Sequence, residues 1–304
     1  MTPVVVLAGG TGGAKFARGM LDVVGGDLVV VANTADDIEL YGAHVSPDPD
    51  LCTFWLADRI DARGWGLAGD TFAVMEGLRE LGVDVWFNLG DRDLAIGLDR
   101  ARRLGDGERP TEALAALVAA LGMRARVLPM SDDKVRSRVR ANGRWWPFQE
   151  FMIGHGGQGP VEDVAFDGIA SAAPPPEALD AITRARAIVI GPSNPVISVR
   201  PILDVPGLAD ALRAAQAPVV AVSPIVGGTV VKGPTQAFMA WAGLELSAAG
   251  IAGYYGDLLD GIVSDEPHAR LRIPGLTTDT LMGDAAARAR LARETLDFAL
   301  GLAP

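Results

Sequence analysis

The sequence holds a single cysteine, Cys52, so neither an internal disulfide nor a thiolate metal cluster can form. That residue reads as a small, half-buried apolar side chain. Histidine is almost as scarce. His44, His155 and His268 are scattered without ligand spacing, and no nucleophile elbow is present, which sets aside zinc hydrolases and triad enzymes. Of 27 basic residues only Lys15, Lys134 and Lys232 are lysines, no long basic run occurs, and the net charge is −11. A phosphate-backbone surface needs clustered cations, so nucleic acid is excluded as a partner. There is no apolar run of eighteen residues to span a bilayer. Met1-Thr2-Pro3-Val4 passes straight into an apolar run without a basic n-region, so a cytoplasmic protein is expected. Repeats and low-complexity tracts are also missing.

What is present is a series of continuous apolar runs rich in β-branched residues: Val4 to Ala8, Leu28 to Ala32, Val83 to Leu89, Ala125 to Leu128, Ala187 to Ile190 and Val219 to Val222. Runs without alternation fit strands covered on both faces, as in a parallel sheet. Helix-period segments between them, such as Leu51 to Ile60, Thr71 to Leu81, Thr111 to Leu121, Leu208 to Ala215 and Asp284 to Leu300, supply the covers. The expected class is α/β: a doubly wound, mainly parallel sheet. Residues 131–173 break the rhythm and close on Ala173-Pro174-Pro175-Pro176, so they are expected to form a small inserted mixed subdomain, leaving 1–130 and 174–304 as the core.

Ligands of open α/β sheets bind beyond the carboxyl ends of the strands, and those positions here are polar. Gly9-Gly10-Thr11-Gly12-Gly13-Ala14-Lys15 follows the first run and opens a helical pattern, an arrangement whose backbone N–H groups suit an anion. It is neither a P-loop, because Ala14 replaces the second glycine, nor a dinucleotide fingerprint, because Lys15 replaces the third. An NAD-dependent oxidoreductase is therefore disfavoured. The second run ends in Asn33-Thr34-Ala35-Asp36-Asp37, followed by Ser46-Pro47-Asp48-Pro49-Asp50. Two of these acids could hold magnesium against a diphosphate; the alternative is solvated loop acids, with Asp50 capping a helix from Leu51. Asn88-Leu89-Gly90-Asp91-Arg92-Asp93 either contacts substrate or caps the helix it opens, and Ser131-Asp132-Asp133-Lys134 is read in the same two ways. Gly191-Pro192-Ser193-Asn194-Pro195, Ser223-Pro224-Ile225 and Lys232-Gly233-Pro234 complete the polar strand ends. Trp145, Trp146 and Phe148 either stack on a planar ring or fill the subdomain core.

Taken in order, the Gly9 to Lys15 loop, Asn33 to Asp37, Pro47 to Asp50, Leu89 to Leu94, Pro147-Phe148-Gln149-Glu150, Pro192 to Pro195 and Ser223 to Ile225 resemble the 2-phospho-L-lactate transferase family of coenzyme F-420 biosynthesis. The resemblance runs end to end and implies a Rossmann-like core. It implies transfer of a phospholactyl or phosphoenolpyruvyl group from a guanosine diphosphate ester to the deazaflavin Fo, with release of GMP and with Mg2+ as cofactor. It assigns Asp36 and Asp50 to the metal, with Asp37 and Asp48 as second choices, and places Asp36, Asp50 and Asp37 in the chemistry. The glycine loop, Gly10, Thr11, Gly12, Gly13 and Lys15, with Ser193 and Asn194, is assigned to donor phosphates or guanosine, Asp91, Arg92 and the Trp146 to Phe148 region to Fo, and Asn33, Asp48, Asn88 and Ser223 to substrate binding. On this assignment Asp50→Ala should abolish turnover and leave the fold intact. A homodimer is expected. The alternative is a nucleotide-sugar-binding regulator of the related gluconeogenesis-factor-like family, which shares the glycine loop and the acidic second turn.

Overall fold

The computed structural model describes residues 2–230, 233–267 and 271–303, so Lys232 and His268 lie outside the described residues. Strand β1 (Val4–Ala8) feeds α1 (Gly10–Val24), and β2 (Leu28–Ala32) leads to a hairpin of β3 (Ile38–Leu40) and β4 (Ala43–Val45). Helices α2 (Pro47–Leu56), α3 (Ala73–Glu80), α4 (Asp91–Gly105) and α5 (Pro110–Ala120) precede β5 (Arg126–Pro129). Strands β6 (Arg136–Ala141), β7 (Arg144–Pro147) and β8 (Asp163–Asp167) form a separate antiparallel sheet in the order β7-β6-β8. After α6 (Pro176–Thr183) and β9 (Ala187–Ile190) come α7 (Arg200–Asp204), α8 (Leu208–Ala214) and β10 (Val219–Val222). A ribbon of β11 (Ile225–Val226) and β12 (Thr229–Val230), helices α9 (Thr235–Trp241) and α10 (Ala248–Tyr255), strands β13 (Gly261–Ser264) and β14 (Gly275–Thr277), and α11 (Ala285–Gly301) finish the chain.

Among the described residues seven strands make one parallel sheet, ordered β14-β13-β10-β9-β1-β2-β5. Alternate residues explain the unbroken apolar runs. Val5 and Leu7 of β1 face a core completed by α6, α7, α8 and α10, whereas Val4, Val6 and Ala8 face one completed by α1, α2, α5 and α11. Every residue of β1 and β2 is buried, which is why neither strand shows a polar period. The chain builds outward from β1 to β5, then returns to place β9 on the other side of β1, so the β1/β9 boundary is the topological switch point. Crevices at such points are where these sheets bind ligands.

One expected strand is absent. Residues 83–89 form no regular secondary structure, and β5 takes the place beside β2. Val85, Phe87 and Leu89 instead pack with Met75, Leu94, Ala43 and Val45 in a satellite core over the β3–β4 hairpin, so their apolar character is satisfied without a ladder. The inserted segment is tied at its base: Ser131 Oγ donates to Ala173 O (2.7 Å) and Ala173 N donates to Asp133 Oδ2 (2.9 Å). Its Val139, Phe148 and Phe151 pack onto Val196, Ile197 and Phe238 of the core. Asp132 accepts from Thr111 N and Thr111 Oγ1 at 2.8 and 2.7 Å. The Ser131 to Lys134 turn is thus a clasp and helix cap.

Asp91 and Asp70 cap each other's helices. Asp91 accepts from Thr71 Oγ1, Ala73 N and Val74 N at the start of α3, while Asp70 accepts from Arg92 N and Asp93 N at the start of α4. Behind this crossed pair Asp93 Oδ1 is buried without a partner. Burial, together with the charges of Asp50 and Asp70, pushes the Asp93 carboxyl up to about 7. Because its folded value lies above the unfolded one near 3.8, the native state retains a proton that the unfolded chain has already lost, and stability falls as pH rises from about 4 to about 7. Asp93→Asn should therefore raise Tm at pH 8 by roughly 3 °C, the shift given by about 1 kcal/mol after solvent screening at the rim, and leave it unchanged at pH 4. Thermal melts across that range test this; a difference independent of pH would contradict it.

Candidate active site

The glycine loop and the turn after β9 interlock at the switch point. Gly9 has no room for a side chain: a Cβ there would lie 2.7 Å from Asp48 Oδ2 and 2.7 Å from Ser198 Cβ. Gly12 approaches the Pro192 carbonyl so closely that a Cβ would sit 2.0 Å from it. These close approaches bring β1, α2 and the β9 turn around one cavity of about 380 Å³. Gly9 N donates to Ser193 Oγ (3.2 Å), and Asn194 Oδ1 accepts from Val196 N (2.9 Å) and Ile197 N (3.2 Å). Ser193 and Asn194 thus shape the turn that faces the loop. The first-turn N–H groups of α1 have no helical carbonyl to serve, and Thr11 and Gly12 carry theirs at the cavity wall.

Two carboxylates, Asp36 and Asp48, line this cavity. Asp48 stands in the first turn of α2, accepts from Gly10 N at 2.7 Å and from Asn33 Nδ2 at 3.0 Å, and is pushed up to about 6 by burial and by Asp37. Asp36 is 5% exposed and its Oδ1 has no partner. Burial, and then the Asp48 charge, raise its carboxyl well above the usual range. The Asp36 turn is held by the insert, since Gln149 Nε2 donates to Asp36 O (3.2 Å) and Ser137 N donates to Ala35 O (2.6 Å). Among the described residues no cluster of three or more His, Cys, Asp or Glu side chains forms a closed metal cage. Magnesium does not need one: one or two carboxylates with phosphate oxygens and water suffice, and the unpartnered Asp36 Oδ1 beside Asp48 fits such a cation.

Other expected site residues are engaged elsewhere. Asp50, expected on the metal, forms a two-pronged pair with the buried Arg100, whose Nη1 is 3.0 Å from Asp50 Oδ2 and also donates to His44 O (2.9 Å). Burial raises the Asp50 carboxyl and Arg100 pulls it back. Asp37 accepts from Ser46 Oγ (2.7 Å) and pairs with His44 Nε2 (2.9 Å). Asn33 is fully buried and holds Asp48. Asn88 accepts from Arg79 (2.7 Å), Asp91 caps α3, and Arg92 is exposed on α4, all away from the cavity lining. Gly10, Thr11, Gly12, Lys15, Phe148, Ser193, Asn194 and Ser223 do line the cavity, and Gly13 packs behind it against Ser193. Trp146 lies against His155 and under Arg144, outside the lining. Contributions unread in the sequence include Arg100 and, in the lining, Met152, Ile197, Ser198, Thr235 and the segment Thr280-Leu281-Met282. Only Arg100 carries a signal, as an arginine in helical register with the buried Leu94 and Gly97.

A switch-point crevice with a helix start and a buried carboxylate pair on its walls has the chemistry that suits a phosphorylated ligand. The family model of the 2-phospho-L-lactate transferase CofD matches residues 4–273. The chain is 38% identical over 265 residues to a 2-phospho-L-lactate transferase of Methanosarcina mazei, covering 86% of this chain and 87% of the relative. To a phosphoenolpyruvate transferase of Kitasatospora aureofaciens it is 39% identical over 312 residues, covering 97% of each. Its fold matches the crystal structure of a upf0052 family protein from Bacillus halodurans with a TM-score of 0.61 at 17% identity, over 97% of this chain and 99% of that one. The chain belongs to the 2-phospho-L-lactate transferase CofD family and is a transferase.

Proposed function

We propose that this chain, acting in the cytoplasm, transfers a phospholactyl or phosphoenolpyruvyl group from a guanosine diphosphate ester to the deazaflavin Fo and releases GMP. The observation that carries this reading is the shared cavity of about 380 Å³, lined both by the start of α1 and by the Asp36 and Asp48 carboxylates, with Gly10 N bonded to Asp48. Thr11 and Gly12 N–H groups and Lys15 would hold donor phosphates, and the Ser193 to Asn194 turn fixes the loop that presents them. Phe148 and Met152, brought by the insert, form an apolar wall suited to the Fo ring. A ribityl hydroxyl attacks the phosphorus distal to guanosine, the bond from that phosphorus to the bridging oxygen breaks, and the hydroxyl proton passes to a carboxylate at the same end. Asp36 and Asp48 would hold Mg2+, which when bound neutralises charge on the diphosphate and the departing GMP. Positioning supplies the remainder of the acceleration.

On this reading the chain acts as a homodimer; light scattering at one chain mass would count against it. The transfer itself is tested by mass spectrometry of the products from Fo with lactyl- and enolpyruvyl-diphospho-5'-guanosine. The expected result is (dehydro) coenzyme F-420-0 and GMP from at least one donor. Unchanged Fo with both donors, alongside tight UDP-sugar binding, would favour the nucleotide-sugar regulator.

A further inference from the structure

The Pro147-Phe148-Gln149-Glu150 run contributes more than the Phe148 wall. Phe148 and Met152 line the cavity, whereas Gln149 between them is buried and absent from the lining. A buried amide beside Phe148 and Phe151 is costly unless it is bonded. Its Nε2 donates at 3.2 Å to the main-chain carbonyl of Asp36, on a different element.

That bond completes the fixing of one residue. Thr34 to Asp37 form a β-turn, closed by Asp37 N donating to Thr34 O at 3.3 Å, and Asp36 is its third residue. The peptide unit before the Asp36 Cα is held by Ser137 N of β6, which donates to Ala35 O at 2.6 Å. Among the described residues the peptide unit after it is held by the long turn bond and by Gln149 alone. A residue has two soft backbone dihedrals, so fixing both flanking planes fixes the direction of its Cα–Cβ bond. Both outside contacts come from the inserted segment. Asp36 Oδ1 has no hydrogen-bond partner to aim it, which leaves that task to the main chain.

We propose that Gln149 is a positioning residue: it holds the Asp36 main chain so that the carboxylate meets a divalent cation together with Asp48. It touches neither the cation nor the phosphates and acts through Asp36. The proposal rests on the reading of Asp36 and Asp48 as the magnesium pair. Groups that orient a metal ligand from behind change metal affinity or activity by 10–100-fold when removed.

The test titrates Mn2+ into the full chain at a fixed GDP concentration and reads protein-bound metal from water-proton relaxation. Gln149→Met keeps the side-chain length and loses the donor, and Gln149→Asn keeps the amide but withdraws it by one methylene. Each should weaken Mn2+ about tenfold. In turnover kcat should fall and the Fo KM should stay in place, because Phe148 is unchanged. In the Asp36→Asn background Gln149→Met should alter neither Mn2+ affinity nor kcat by more than about twofold, since the carboxylate it positions is gone. Wild-type Mn2+ affinity in both Gln149 variants, with the metal lost in Asp36→Asn, would overturn the positioning role and leave the metal reading in place. A tenfold loss that persists beside Asp36→Asn would also overturn it, because Gln149 would then act through another group. Equal Mn2+ affinity in wild type and Asp36→Asn would contradict both readings.

Discussion

Asp36→Asn should lower kcat about a thousandfold, the loss that follows when several kcal/mol of charge stabilisation are withdrawn from a phosphoryl-transfer site, while Tm stays equal or rises. The two halves of this expectation have separate causes. Asp36 is 5% exposed, its Oδ1 has no hydrogen-bond partner, and burial with the Asp48 charge outweighs the polar groups of Ser137 and Asn33 that favour its ionised form, so its charge is net unfavourable in the isolated fold. A neutral amide of the same shape removes that cost. On the proposed function, its catalytic loss arises because the amide would neither balance a cation nor accept a proton beside the donor phosphates. Steady-state kinetics and a thermal melt on one preparation check both halves. Asp48→Asn should lose turnover in the same way but also lower Tm, because Asp48 accepts from Gly10 N and Asn33 Nδ2 and an amide cannot accept on both sides.

Arg100→Met should destabilise the chain by about 4 kcal/mol, roughly 10 °C in Tm, because it strands the buried Asp50 carboxylate. Arg100 is 7% exposed and gives Asp50 both prongs of its guanidinium while also bonding His44 O. Burial already raises the Asp50 carboxyl, and Arg100 is the group that pulls it back. Asp50→Ala should cost a similar amount by leaving the cation unpaired, which revises the sequence-based expectation that this variant would keep its fold. The double variant Asp50→Ala/Arg100→Met should lose less than the sum of the single changes, as coupled partners do. Urea melts of the four proteins measure the coupling. Additive losses would show that the pair is not a unit.

The glycine loop and the β9 turn were legible because each directly follows a buried strand, and a strand's end fixes where its successor sits. The choice among the acids was not. Sequence spacing alone set the helix start at Leu51, whereas α2 begins at Pro47. With both acids on the helix, Asp48 and Asp50 are roughly 200° apart around its axis, so one faces the cavity and the other faces Arg100. Asp36 and Asp37 divide similarly, the first to the cavity and the second to Ser46 and His44. The polar Asn88 to Asp93 cluster looked like a binding edge because crossed capping between α3 and α4 requires the same residue types as ligand contact. Residues 83–89 had strand composition but were buried by a satellite core, a tertiary outcome that local pattern does not encode.

The most direct test of the site is anomalous diffraction from crystals grown with GDP and Mn2+ in place of Mg2+. The expected map places the metal against both the Asp36 and Asp48 carboxylates, with the diphosphate on the amides of the α1 start and the Asp50–Arg100 pair intact. A metal bound by Asp50, with Arg100 displaced and Asp48 free of it, would contradict the account.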